Sequence, residues 1–433
     1  MGLLIGVGSS SPTFPYNHYY GIEYDATVSN PDTITRVGKA ELHQTVPCHA
    51  KMRRCLLNDD GTVNYYLGSA DSTKRDTGAA ADLTGASGQV MVEMPEMYVR
   101  FEHDGNKRRV LFSEYMLPGF SKWGKMYGSA YEAALDRTNS KLSSVVNTTA
   151  QYRGGNNTSD WDDTYRSLLG MPATNINLTN FRTYARNRGA RWNCNTYEFQ
   201  KRLYWMFVVE YATLNSQKAF NAQLDANGYH QGGLGNGVTD MTDWSAYNSY
   251  NPVVPCGVTN SLGNMTGVVT HNVMKADGTT VHYAAPVPSY RGVENPFGHV
   301  WKITDGVKFL IQSAADGGKS KIYVCDDPTK YTSSGVTDYR EIGELPRSNG
   351  YVKTICHGEN GDILPTEIGA GSTTYFCDHF YTSIPDSGVS ERACFFGGDA
   401  NDGAAAGFVF ASSNASASDA NAYYGSRLCF MPA

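Results

Sequence analysis

Glu391-Arg-Ala-Cys-Phe-Phe-Gly-Gly-Asp-Ala-Asn-Asp-Gly-Ala-Ala-Ala-Gly-Phe-Val-Phe410 runs into Ala411-Ser-Ser-Asn-Ala-Ser-Ala-Ser-Asp-Ala-Asn-Ala-Tyr-Tyr424 and then Gly425-Ser-Arg-Leu-Cys-Phe-Met-Pro-Ala433. Apolar flanks, Cys394-Phe395-Phe396 before and Leu428-Cys429-Phe430 after, enclose a tract of small and polar residues from Asp399 to Tyr424. Polar tracts at a chain end usually fray, and Ala/Ser/Asn/Asp low complexity usually marks a linker. This tract re-enters an apolar segment, which predicts a loop held at both ends. Its composition is that of a binding surface: tyrosine gives rigid contact area, while Ser, Asn, Asp and Gly give adaptable hydrogen bonds. Glycines 397, 398, 403, 407 and 425 are expected where the backbone turns and a Cβ would clash.

Upstream, the best-defined elements are two helices. Thr179 is expected to cap the first, with Phe181, Tyr184 and Ala185 at helical spacing and Gly189 at its end. The second begins after Asn195-Thr196 and runs from Tyr197 to about Leu214. Apolar residues surround Leu203–Val209 on nearly all sides, which predicts a helix buried all round and the central element of the core. Before the helices, Asp59-Asp60-Gly61 reads as a hairpin turn. Residues 89–102 and 109–115 read as strands turned by His103-Asp104-Gly105-Asn106, with Pro95 marking an edge or bulge. Lys125–Leu135 reads as strand. Residues 68–88 are polar and suggest a boundary near residue 85. After Gly228 only short strands separated by Gly, Asn, Asp and Pro turns are expected, clearest at Val300–Ile303, Val307–Gln312, Lys321–Cys325 and Thr374–Cys377.

A net charge of −6 with 18% charged residues excludes nucleic acid as a general partner, since phosphate neutralisation needs a basic surface. The 45 glycines and 29 tyrosines point to a loop-rich, β-containing protein. The nine cysteines form no Cys-x-x-Cys pair and are expected to be free, buried thiols. The start Met1–Val7 has neither the basic residues nor the apolar length of a secretory signal, and it lacks the Ser/Thr of a myristoylation site. No run of eighteen apolar residues suggests a membrane span. Synthesis in a bacterial cytoplasm is therefore expected.

The order Gly397-Gly398, Ala406-Gly407, Gly425-Ser426-Arg427-Leu428 at the extreme C-terminus resembles the variable proteins of diversity-generating retroelements. Upstream, Arg188-Gly189-Ala190-Arg191-Trp192, Phe207–Glu210, Asn264–Gly267 and Tyr290–Gly298 look like the framework of that family, so the resemblance covers about residues 86–433. In such systems template adenines are copied with errors, chiefly in Asn codons. An Asn codon changed only at its adenines cannot become Lys, Glu, Gln, Met or Trp, and none of these lies between Asp399 and Tyr424.

The resemblance implies an α+β fold. A C-type-lectin-like domain of two helices, short antiparallel strands and long loops would span 86–433, after a small β-rich attachment or oligomerisation segment, 1–85. It implies a variable region at about 392–430 and a non-enzymatic receptor-binding protein at a phage tail tip. The partners implied are a host-surface protein or glycan, other tail proteins through the N-terminal segment, and further copies of the chain. The ligand contacts expected first are Asp399, Asn401, Asp402, Ala405, Phe408, Phe410 and Ser412. The remainder are Ser413, Asn414, Ser418, Asp419, Asn421, Tyr423 and Tyr424. A bacterial surface-displayed protein of the same fold is the alternative; a formylglycine-generating-type enzyme is the third class.

Other chemistry finds little footing. Calcium takes about six to eight oxygen ligands, and the Glu-Pro-Asn and Trp-Asn-Asp signatures of calcium-dependent lectins are missing; Glu294-Asn295-Pro296 and Trp161-Asp162-Asp163 come nearest. Glu294 and Asn295 are expected to tie down a loop instead. Cys377, Cys394 and Cys429 are not spaced as a catalytic pair, Gly-x-Ser-x-Gly and His-Glu-x-x-His are absent, and no cofactor or metal is expected. Arg427 is expected to pin the terminal strand through a carboxylate.

Overall fold

Thr196 opens the central helix, Tyr197–Tyr211, by accepting the Phe199 N–H on its hydroxyl, and Ala212 closes it in a left-handed turn at φ 52°. Nearly every residue between them is buried, polar ones included. Gln200 donates to the Phe408 carbonyl (2.8 Å), Trp205 to that of Gly361 (2.7 Å), and the Met206 carbonyl meets the His49 ring at 2.8 Å. Glu210 is held by Arg291 at 2.6 Å and by the Tyr290 hydroxyl at 3.0 Å. The shorter helix, Leu178–Arg186, is capped by Asn177, whose side chain accepts the Asn180 N–H; Thr179 lies inside it. The computed structural model describes residues 16–159 and 166–432.

Around these helices the chain is predominantly β: 36% strand against 14% helix, in several sheets, one of them barrel-like and nearly closed. This overturns the expected α+β C-type-lectin-like domain. The sequence showed one strongly apolar helix and many short strands, and the strands read as isolated pieces among long loops because their partners lie far away in the chain. Trp301–Gln312 shows the effect. Val300–Ile303 and Val307–Gln312 read as two short strands, yet they form one twelve-residue strand bulged at Asp305-Gly306. That strand pairs on one side with Ser320–Val324 and on the other with Val389–Gly397, while Tyr424–Gly425 runs parallel to its first residues. Gly407–Ser412, His379–Tyr381, Gly350–His357 and Asp362–Ile368 extend the sheet beyond Val389–Gly397.

Strands from before and after residue 85, where the sequence suggested a boundary, share two further sheets. Tyr20–Asp25 pairs with Lys107–Ser113 in a five-stranded sheet. In a six-stranded sheet Arg53–Leu57 pairs with Gln89–Met94. Pro95 falls where the chain leaves the second of these sheets for Met97–Asp104 in the first, as befits a residue with no N–H to give a ladder. The terminal strand, Leu428–Phe430, lies inside the six-stranded sheet between Trp192–Cys194 and Met126–Ser129. Gly128 is required there, because a Cβ would sit 2.0 Å from the Phe199 ring. Among the described residues no helix is long and apolar enough to cross a membrane. Residues 1–15 and Trp161-Asp162-Asp163 lie outside the described residues.

Candidate ligand-binding site

Val389–Gly397 ends in two left-handed glycines, Gly397 (φ 96°) and Gly398 (φ 77°). A Cβ on Gly398 would press on the Phe410 ring at 2.8 Å. The sharp turn that follows is tied internally and externally. Asp399 N–H donates to the Asp402 carboxyl (2.8 Å) and Asn401 N–H to the Asp399 carboxyl (3.1 Å). The Ala400 carbonyl accepts from Met241 N–H (2.7 Å), and Gly403 N–H donates to the Thr239 carbonyl (2.9 Å). The chain then forms the strand Gly407–Ser412, loops out, and returns as Tyr424–Gly425.

Between these pieces opens a cavity of about 320 Å³. From the C-terminal tract it takes Asp399, Asn401 and Asp402 on the turn, Ser412 and Asn414 at the end of the strand, and Tyr423 and Tyr424 on the returning segment. The remaining wall is aromatic and comes from elsewhere: Tyr250, Trp301, Tyr381 and Phe395. The rings are linked. Tyr423 meets Tyr250 at 5.6 Å and Tyr424 at 4.7 Å between centroids, and Tyr424 meets Phe395 at 4.6 Å. Trp301 donates its indole N–H to the Asp399 carboxyl at 3.1 Å. The two carboxyl groups are hydrogen-bonded to each other. Burial, and then the charge of Asp399, push Asp402 up to about 8; burial also raises Asp399. The pair therefore holds a proton near neutral pH.

The other half of the expected contacts does not line this cavity. Phe408 is fully buried against Phe207 at 5.4 Å and Phe297 at 5.8 Å, and Phe410 is buried against Trp301 at 4.5 Å. Both alternate into the core as residues i and i+2 of one strand. Ala405 is buried in its 3₁₀ turn. Ser413 is fully buried, its hydroxyl donating to Thr382 at 2.9 Å and its N–H to the Tyr381 carbonyl at 2.9 Å. These four are corrected to scaffold. Ser418 and Asp419 are exposed in a separate turn, where Asp419 accepts from Ser416 N–H at 2.7 Å. The Asn421 carbonyl accepts the Asn175 N–H at 2.8 Å.

Trp301, Tyr381, Tyr250 and Phe395 were missed. Trp301 was legible only as a strand residue, and Tyr250 sits in an irregular left-handed turn (φ 63°) with no pattern to announce it. Arg427 is buried and structural, but it grips carbonyls rather than a carboxylate: Ser129 at 3.2 Å, Asn295 at 2.6 Å, and Glu294. Glu294 ties its loop as expected, accepting from Gly257 N–H (2.9 Å), Thr259 N–H (2.6 Å) and the Thr259 hydroxyl (2.8 Å). The cysteines are free. Burial pushes the Cys377 thiol up to about 12 and raises Cys394 as well, which holds both as unreactive thiols. Among the described residues no three His, Cys, Asp or Glu side chains gather as a metal site.

No protein-family profile and no curated protein matches the sequence. Among solved structures the chain is similar to PvdO from Pseudomonas aeruginosa, at 10% identity and a TM-score of 0.32, covering 79% of this chain and 95% of that one.

Proposed function

We propose that the protein is a receptor-binding protein that presents its C-terminal tract, about residues 392–430, to a host surface, as the tip protein of a phage tail and a variable protein of a diversity-generating retroelement. One observation carries the reading. Seven residues chosen from sequence as ligand contacts, Asp399, Asn401, Asp402, Ser412, Asn414, Tyr423 and Tyr424, meet around one open cavity, although they are spread over twenty-six positions of chain. Asp399 and Asp402 also tie their own turn, but most of the scaffold is held by other side chains. Buried Phe408, Phe410 and Ser413 and the carbonyl-bound Arg427 hold the backbone, so the rim can change without loss of the fold. One such cavity is small, which predicts weak affinity per copy, raised by many copies on a particle.

The DNA following the coding region tests the family. The expected finding is a near-copy of the segment encoding 392–430, differing at adenines, beside a reverse-transcriptase gene; its absence removes the retroelement from the reading. Attachment tests the binding role. Particles carrying Tyr423→Ala with Asn401→Ala should lose host-cell adsorption while assembling normally, and unchanged adsorption would end the proposal.

A further inference from the structure

The chemical class of the ligand is written in the charge and ring content of the cavity, and the inference rests on the binding role proposed above. The wall carries two carboxyl groups, Asp399 and Asp402, and among the described residues lining it none is basic. Lys302 is turned into the core, with its ammonium on Glu132 at 2.8 Å, and Arg392 lies behind the wall, donating to the carbonyl of the lining residue Asn414 at 3.1 Å. Against the carboxyls stand Trp301, Tyr381, Tyr250, Tyr423, Tyr424 and Phe395. Aromatic faces attract cations through the negative ring quadrupole, more strongly where water is excluded. Lys302 lowers Asp399 at a distance, but among the described residues neither carboxyl forms an ion pair, and such a pair in a part-buried site repels an anionic ligand and gains from a cationic one. From these features we infer that the cavity takes an organic ammonium group, as carried by a lysine side chain or by the quaternary head of choline, seated on the Asp399–Asp402 pair under the aromatic wall.

The protonation of the pair supplies the discriminating signature. An ammonium that binds the ionised pair displaces the shared proton, so its affinity rises with pH until the pair is already ionised, whereas a neutral ligand shows no such linkage. The other titratable groups facing the pair are few. Tyr381 and Tyr423 are raised by burial and stay neutral, and His379 beside Tyr381 is lowered by burial. Asp240 lies on the adjoining loop, 3.5 Å from where a Cβ of Gly403 would stand. Lys302 is lowered to about 8 by burial, so a variant at Asp402 is needed to separate its titration from that of the pair.

The test is calorimetric titration of the whole protein with Nα-acetyl-lysine amide, choline, its neutral isostere 3,3-dimethylbutan-1-ol, and methyl α-glucoside, at pH 6 and pH 9. The two cations distinguish a protein source from a lipid or glycan headgroup source. The expected result is binding of at least one cation, roughly a hundredfold tighter at pH 9 than at pH 6 with proton release at the lower pH, and at least about tenfold weaker binding of the isostere. Asp402→Asn should flatten the pH dependence while leaving the protein folded. Equal binding of choline and its isostere, preference for the glucoside, no binding of either cation, or an undiminished pH dependence in Asp402→Asn overturns the inference. Binding of the glucoside alone would overturn the ligand class and leave the receptor-binding role standing; unchanged adsorption of the rim variants is the separate result that would remove that role.

Discussion

Two groups of buried carboxylates stand on either side of Lys302, and they are built in opposite senses. On the core side Glu132 receives the Lys302 ammonium at 2.8 Å and the His299 ring at 2.6 Å. The other His299 nitrogen accepts the Val253 and Val254 N–H groups at 3.0 and 3.2 Å, so the ring gives its one proton to Glu132. Burial alone would raise Glu132, but Lys302 and His299 outweigh it and hold it at about 2. On the cavity side Asp399 and Asp402 have an indole N–H, backbone N–H groups and each other, and burial wins: Asp402 rises to about 8. A carboxylate whose charge is satisfied internally is a structural part. A pair left short of positive charge at an open cavity marks a place where something external completes it.

The largest effect expected from breaking this contrast is on the core side. Lys302→Met strands the Glu132 charge, and loss of about 3–5 kcal/mol is expected in urea unfolding. Close behind comes Gly128→Ala, whose new methyl would meet the Phe199 ring at 2.0 Å; a loss of about 1–3 kcal/mol is expected, and Phe199→Leu in the same chain should recover part of it.

The pH dependence sharpens the comparison because the signs are opposed. Glu132, depressed in the folded state, contributes stability that is present above the ordinary glutamate range and lost as pH falls through about 2. Asp402, raised in the folded state, contributes stability that is complete below the ordinary aspartate range and lost as pH rises through about 8. Thermal melts between pH 4 and pH 9 should therefore show a decline that Asp402→Asn removes. An unaltered decline in that variant would mean that the cavity pair does not hold the proton. The smallest stability effect belongs to the rim itself. Asn401→Ala, which removes an exposed side chain, should change unfolding free energy by about 0.5 kcal/mol or less, and Tyr423→Ala, which removes ring contacts with Tyr250 and Tyr424, by about 1–2 kcal/mol, while both remove ligand binding.

The legible parts of the site were those whose meaning is local. Asn401 and Asp402 could be read as polar groups on a loop held at both ends, and Tyr423-Tyr424 as candidate contact residues, from composition and position; the burial of Asp399 could not. Phe408 and Phe410 were misread because a strand buried on both faces, placed inside a polar tract, looks like two aromatic contacts on a loop. Trp301 and Tyr381 were invisible as site residues because they reach the cavity only through pairing: Trp301 lies opposite Tyr424, and Tyr381 opposite Ser412.

By itself the sequence determined the central helix, with its start after Thr196 and its burial on nearly all sides, the turns at Gly61 and Gly105, the loop-tying role of Glu294, the structural role of Arg427 though not its carbonyl partners, and the polar character of the C-terminal tract. These rest on interactions within a few residues or on the plain cost of exposing apolar groups. Tertiary structure decided that the chain is mainly β, that Leu428–Phe430 enters the middle of a sheet, and that aromatic residues from five separated stretches close around two aspartates. The reason is that a β-ladder satisfies backbone groups with partners at any sequence distance, so which strands meet depends on the packing of the whole chain and leaves little mark on any one segment.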